Sequence, residues 1–268
     1  MSNRIAVVVL GCASPPYDRT IDAIRGTWGG RRVPGLDIYY LYGNPHDDEG
    51  HRVLSRLVGG PAPAVEDDAI RHLQDVLIVG CADHIQQQED CLLRKRLRAY
   101  DYLGAMDRYD LIYTVCATSY VDQKGLARYA DSVIPRRLVA GAVSIDTTAR
   151  APFVSGASMI LSVDIARELG RHRQEIIEGN VFGFRDDVTV GHWIAARMSR
   201  VPVATFIEDV KHHRPMTPGH IFVRCPQGTV DYVMAPAQNH RPVPDAFHYH
   251  FNSQGANDMV QFHRRYYA

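Results

Sequence analysis

The sequence predicts an α/β fold with a central, mostly parallel sheet flanked by helices. Short apolar, β-branched runs recur through the first half of the chain, and segments of helical periodicity separate them. Residues 5–10, Ile-Ala-Val-Val-Val-Leu, are apolar without alternation, as expected of a strand covered on both faces. A turn at 11–17 leads into a helix over 19–28. A second strand is expected at 37–42, helices at 53–57 and 67–73, and a third strand at 75–80. Over 89–106, Leu92, Leu93, Leu97, Tyr100 and Leu103 recur at helical spacing, with Arg94, Lys95, Arg96 and Arg98 between them. A fourth strand follows at 110–115 and a helix at 123–133. The second half is less regular: a strand at 153–162, helices at 163–170 and 188–198, and a short strand at 203–207. From 215 onward no element is assigned, and the abundance of His, Pro and aromatic residues points to loops folded over a site. Ligands of such sheets collect at the carboxyl ends of the strands.

With 268 residues and 46% hydrophobic content the chain reads as one domain over 1–268 with a sizeable core. A nucleotide-binding half at 1–122 and an acceptor-side half at 123–268 are expected. Lys plus Arg equals Asp plus Glu at 30 each, so no uniform field marks a nucleic-acid or membrane-surface binder. The five cysteines (Cys12, Cys81, Cys91, Cys116 and Cys225) form no C-x-x-C pair, and reduced thiols in a cytosol-like compartment fit them. No stretch reaches the roughly 18 apolar residues of a membrane span. The first strand ends in Gly11-Cys12-Ala13-Ser14-Pro15, without G-x-G-x-x-G, and no G-x-x-x-x-G-K-[ST] occurs. Dinucleotide-binding and P-loop readings are therefore weak.

Several segments carry more specific signals. Residues 19–29 read R-T-I-D-A-I-R-G-T-W-G, and 151–164 read A-P-F-V-S-G-A-S-M-I-L-S-V-D. Asp186-Asp187-Val188 opens the helix before Gly191, and Phe247-His248-Tyr249-His250 lies near the end of the chain. In this order they resemble the motifs of family 31 glycosyltransferases, the fringe and β-1,3-galactosyltransferase group, over about residues 5–251. The resemblance implies a GT-A type fold, that of nucleotide-diphospho-sugar transferases. It further implies inverting transfer from a UDP-sugar donor to a glycan hydroxyl, giving a β linkage, in a protein with no nucleic-acid partner. The animal relatives are tethered by an N-terminal membrane helix. A chain that starts directly on its first strand is expected to be a cytoplasmic, bacterial or viral version.

Site residues follow from the resemblance one motif at a time. The first strand and the helix after it frame the nucleotide, which places Ser14 and Arg25 beside the donor. Arg25 at a diphosphate is chemically sensible, and pairing with a buried carboxylate is the alternative. Trp28 is a candidate core residue. Lys95 falls on a lysine of the family's next helix, with Arg96 in place of a threonine. Ser155, Gly156 and Ala157 match the segment under the donor sugar and acceptor, where glycine permits close backbone approach. Asp187 falls on the general base and Asp186 on the preceding acidic position, although a carboxylate at a helix start is also a routine dipole partner.

The departure lies after the fourth strand. Relatives carry three aspartates there that hold manganese against the diphosphate, whereas this chain has Cys116-Ala117-Thr118, without the hard oxygen ligands manganese prefers. Activity weakly dependent on divalent metal is therefore expected. Thr118, His248 and His250, with Arg25 and Lys95, take over contact with the diphosphate, and both imidazoles face one side of a strand. The rival reading is a degenerate relative that binds a nucleotide or glycan and transfers nothing.

Overall fold

A computed structural model describes residues 2–83, 90–146, 151–183, 185–197, 221–225, 228–236, 247–251 and 256–268. The strand expected at 203–207 lies outside the described residues. In chain order the elements begin with β1 (Ile5–Leu10), α1 (Tyr17–Arg25), β2 (Leu36–Asn44), α2 (Asp48–Val58), β3 (Ile70–Leu73) and β4 (Val76–Ala82). Next come α3 (Cys91–Ala105), β5 (Leu111–Cys116), β6 (Ser119–Val121), α4 (Gln123–Ser132), β7 (Val139–Asp146) and β8 (Ala151–Ser162). Helices α5 (Val163–Arg171), α6 (Arg173–Glu178) and α7 (Asp186–Arg197) follow, then β9 (Ile221–Cys225), β10 (Gly228–Pro236), β11 (His248–His250) and α8 (Ala256–Tyr266).

The central sheet has seven strands in the order β3-β4-β2-β1-β5-β8-β7. Its middle four, β4, β2, β1 and β5, run parallel, and the antiparallel pairs lie at its two margins. Every residue of β1 is buried, which explains the unbroken apolar run: the strand is covered on both faces. Helix α3 buries Leu93, Leu97, Tyr100 and Leu103 and packs beside α5, and α1 packs beside α8. A second sheet, β6-β11-β10-β9, is joined to the first at the tight β5–β6 corner. The α/β class with a mostly parallel sheet is thus as the sequence predicts.

Three expectations are corrected. Residues 67–73 are not helical: β3 pairs antiparallel with β4, Leu73 opposite Val76, across the two-residue turn Gln74-Asp75. Gln74 sits at φ 56°, the left-handed geometry such tight hairpins favour, and the pairing gives backbone partners that so short a helix lacks. The first helix starts at Tyr17 and stops at Arg25, and Trp28–Gly30 form a separate 3-10 turn. The region after 215 contains strands β9–β11 and helix α8. There β9 and β10 pair as neighbours in the chain, whereas the three-residue β11 pairs with the distant β6 and is too short to show a period.

Candidate functional site

The chain leaves β1 toward β2 on one side, while β5 lies on the other, so a topological switch point falls between the carboxyl ends of β1 and β5. The loop after β1 supplies half-buried Ser14, and the corner after β5 supplies Cys116 and Thr118. Tyr17, first residue of α1, is half-buried. Burial pushes its phenol up, and the nearby sulfurs of Cys12 and Cys116 add to the rise. Strand β8 passes beside β5 with Val115 opposite Ser158, so residues 155–157 extend past the end of β5. The β7–β8 register jumps from Gly141 opposite Met159 to Val143 opposite Val154, so 155–158 bulge out of that ladder. Gly141 makes the jump possible: at φ 149°, an added Cβ would lie 2.2 Å from the Ser158 carbonyl oxygen.

The bulge leaves the Gly156 N–H without a strand partner, and Asp187 accepts it. Asp187 Oδ2 lies 2.9 Å from Gly156 N, and Oδ1 lies 2.9 Å from Val188 N. Asp187 is half-buried in the first turn of α7, where the helix dipole favours a carboxylate. An added Cβ at Gly156 would meet Arg96 Nη2 at 3.0 Å and Asp187 Cβ at 3.5 Å, so a larger residue there would press on the Arg96 guanidinium.

Asp186 points the other way, into the protein. Its carboxylate forms an ion pair with Arg96, Nε to Oδ2 2.8 Å, and both side chains are almost fully buried. Burial pushes the Asp186 carboxyl up, Arg96 opposes the rise, and the Asp187 charge adds to it. Arg96 also donates from Nη2 to the Gly156 carbonyl at 3.3 Å. One guanidinium therefore ties α3 to α7 and to the bulge of β8 that holds Asp187.

Lys95 is likewise internal. Its ammonium is fully buried, 2.8 Å from Asp83 Oδ1 and 3.0 Å from the Gly11 carbonyl oxygen. Burial alone would push the lysine down, and the Asp83 carboxylate outweighs it, so the net shift is upward. Asp83, one residue past β4, accepts from Gly43 N at 2.9 Å and Ala13 N at 2.7 Å. This pair pins the ends of β1, β2 and β4 to α3, and so fixes the loop carrying Ser14.

The two histidines of β11 do face one side, with Tyr249 packed oppositely on Phe262, yet they differ in depth. His248 is fully buried, with Nδ1 on the Tyr113 hydroxyl and Nε2 on Ser119 Oγ at 3.2 Å. Burial holds its imidazole well below the usual histidine range, and His250 lowers it further. His250 is half-buried at the crevice, Nε2 3.0 Å from Thr118 Oγ1. Burial would lower its pKa, but a hydrogen bond and attraction to the Cys116 sulfur raise it. Cys116 lies 3.0 Å from Thr118 Oγ1 and 3.1 Å from Ser119 Oγ. Burial opposes ionisation of this thiol, and His250, Ser119 and Thr118 overcome it, lowering its pKa to about 7.

Of the residues expected around a donor, Ser14, Thr118, Ser155, Gly156, Ala157, Asp187 and His250 border the crevice. Arg25 does not: it ends α1 at the amino edge of the sheet, paired with Asp75 at 2.7 Å and lying over the Tyr40 ring. Trp28 is a core residue whose indole donates to the Ser119 carbonyl at 3.0 Å. Lys95, His248 and Asp186 support the site from behind. Sequence reasoning missed Asp83 and gave Arg96 no role. A buried charge demands a partner, so two adjacent basic residues at core-facing positions of α3 were the available signal.

Around Cys116 and His250 lie a thiol, an imidazole and neutral hydroxyls, without the carboxylate oxygens that suit manganese. Among the described residues no group of three or more His, Cys, Asp or Glu is arranged to hold a metal ion. No described helix is long and apolar enough to cross a membrane. No protein-family model and no curated protein matches the sequence. Among solved structures, the galactosyltransferase LgtC in complex with donor and acceptor sugar analogs is similar at a TM-score of 0.46 and 9% identity. That likeness covers 98% of this chain and 96% of that one. An active-site mutant of LgtC gives a TM-score of 0.36 and 8% identity over 69% of each chain. At these scores neither likeness bears on what this chain does.

Proposed function

We propose that the protein is a glycosyltransferase of GT-A type that moves a sugar from a UDP-sugar to a glycan hydroxyl with inversion, Asp187 acting as general base. The observation that carries this reading is the placement of Asp187. It stands at a helix start on the carboxyl edge of a parallel sheet, beside the switch-point crevice. A carboxylate has about four acceptor positions, and two backbone N–H groups occupy two of them, leaving the rest for an acceptor hydroxyl. The two backbone bonds fix its direction, and deprotonation of the acceptor as the donor bond breaks is a positioning and general-base mechanism. Thr118, His250 and Ser14 border the donor's diphosphate, and an imidazolium at His250 offsets part of its charge. No step is assigned to manganese.

A second reading, a module that binds a nucleotide or glycan without turnover, is favoured by one observation. Lys95 and Arg96 are committed to buried carboxylates, and Arg25 pairs with Asp75 at the amino edge of the sheet, so none of these three cations is left for a leaving diphosphate. Incubation with a panel of UDP-sugars, with and without manganese and after chelation, separates the readings. Release of UDP or sugar transfer supports the enzyme. Saturable UDP binding without release under any condition supports the binding module and rejects the enzyme.

A further inference from the structure

The four cysteines with described side chains divide into two kinds. Cys12 is buried and donates to the Asp83 carbonyl at 3.3 Å, and burial first, then the Asp83 charge, raises its pKa. Cys91 is buried, and Cys81 donates to the Cys91 carbonyl, burial pushing its thiol up to about 12. Cys12 and Cys91 are packing residues, and Cys81 is partly exposed with its thiol held in the neutral form. Cys116, partly exposed as Cys81 is, alone among the four ends a strand at the crevice and is ringed by Thr118, Ser119 and His250. The Thr118 hydroxyl lies 3.0 Å from both Cys116 Sγ and His250 Nε2, so thiol and imidazole share one bridging group. A partly exposed sulfur with hydroxyl donors and an imidazole one hydroxyl away has the surroundings of a reactive thiol.

We propose that Cys116 is a covalent modification site, where the crevice undergoes thiol–disulfide exchange with small disulfides of the glutathione class. The Cys116 proton passes to His250, and the sulfur attacks one sulfur of the small disulfide. The S–S bond of the reagent breaks, a mixed disulfide forms on Cys116, and the other half leaves as a thiolate that takes a proton from His250 or water. No metal or external oxidant beyond the disulfide itself is needed. The adduct occupies the space between the ends of β1 and β5. Its effect on donor binding rests on the transfer reading above, while its formation does not.

The full chain, folded and in concentrated urea, is treated at pH 7 with oxidised glutathione, and adducts are followed by intact mass and peptide mapping. Cys116 is expected to react faster in the folded chain than in urea, while buried Cys12 and Cys91 react only in urea and Cys81, whose thiol stays protonated, reacts far more slowly than Cys116 in the folded chain. Removing His250 returns the thiol toward its ordinary pKa, so His250→Gln slows folded-state reaction at Cys116 by about fivefold to tenfold, the lost thiolate fraction being partly offset by higher nucleophilicity. Should that variant fail to fold, Thr118→Val removes the bridging hydroxyl and gives the same readout. Slower reaction of Cys116 in the folded chain than in urea overturns the proposal. So does an unchanged rate in the folded variant.

Discussion

Replacing Lys95 by Met leaves the Asp83 carboxylate buried and without its counter-charge, still holding the N–H groups of Gly43 and Ala13. Breaking one side of a buried ion pair costs about 3–5 kcal/mol. For a chain of this size each kcal/mol shifts Tm by about 2–4 °C, so a fall of about 6–20 °C is expected. Asp83→Asn alone strands the ammonium and turns one backbone N–H toward an amide NH2, at a comparable cost. The double variant removes both charges and retains only the amide mismatch, worth about 1–3 kcal/mol. Its loss should therefore be at least about 2 kcal/mol smaller than the two single losses added, as contacting residues do not behave additively. Urea denaturation of the four proteins, with Cm and m read together, measures this. A Lys95→Met loss under about 1 kcal/mol, or strict additivity, would refute the claim that this pair clamps the strand ends.

Three further outcomes follow from the same geometry. Arg96→Lys keeps the charge facing Asp186 but loses the fork that also reaches Gly156, so turnover should fall by up to about 10²-fold with donor KM little changed; steady-state kinetics showing only a KM effect contradicts this. The folded pKa of His248 is depressed below the unfolded 6.5, so its contribution to stability is complete above pH 6.5 and is lost as pH falls toward the folded value. Urea midpoints from pH 8 to pH 5 should show an acid-side decline, about 1.4 kcal/mol per pH unit at most from this group, that is absent in His248→Gln; equal slopes in both proteins contradict a buried neutral imidazole. Alkylation of Cys116 by iodoacetamide should rise with pH through about 7 rather than through the ordinary 9.0, and a midpoint near the ordinary value contradicts the Cys116–His250 pairing.

The parallel core was legible because each of its strands is covered on both faces and therefore written as an unbroken apolar run, as in Ile5–Leu10. Short partners were not. Ile70–Leu73 has too few residues to show a period, and β6 and β11 are three-residue strands whose pairing joins segments more than a hundred residues apart. That Asp187 stands at the start of a helix was legible from the residues around it. What the residue names did not convey is direction. Asp186 and Asp187 are neighbours at the start of one helix, yet one faces Arg96 in the interior and the other Gly156 at the crevice. Arg25 and Lys95 illustrate the same limit. A cation beside a motif suits a phosphate as well as it suits a carboxylate; here burial commits Lys95 to Asp83, and its place at the amino edge of the sheet gives Arg25 to the half-exposed Asp75.

The central claim is that Asp187 removes a proton from an acceptor hydroxyl, and the direct measurement is UDP-sugar turnover in the parent and in Asp187→Asn. The amide keeps one acceptor and sets an NH2 against one of two backbone donors, so about 1–3 kcal/mol of stability is lost; working well below the melting transition of both proteins removes that difference. With the best donor and acceptor at saturation, the account predicts kcat lower by about 10²–10⁴-fold, and parent product of inverted anomeric configuration by NMR. Turnover of Asp187→Asn within a few-fold of the parent would contradict it, leaving Asp187 as a helix-start residue that holds Gly156 in place.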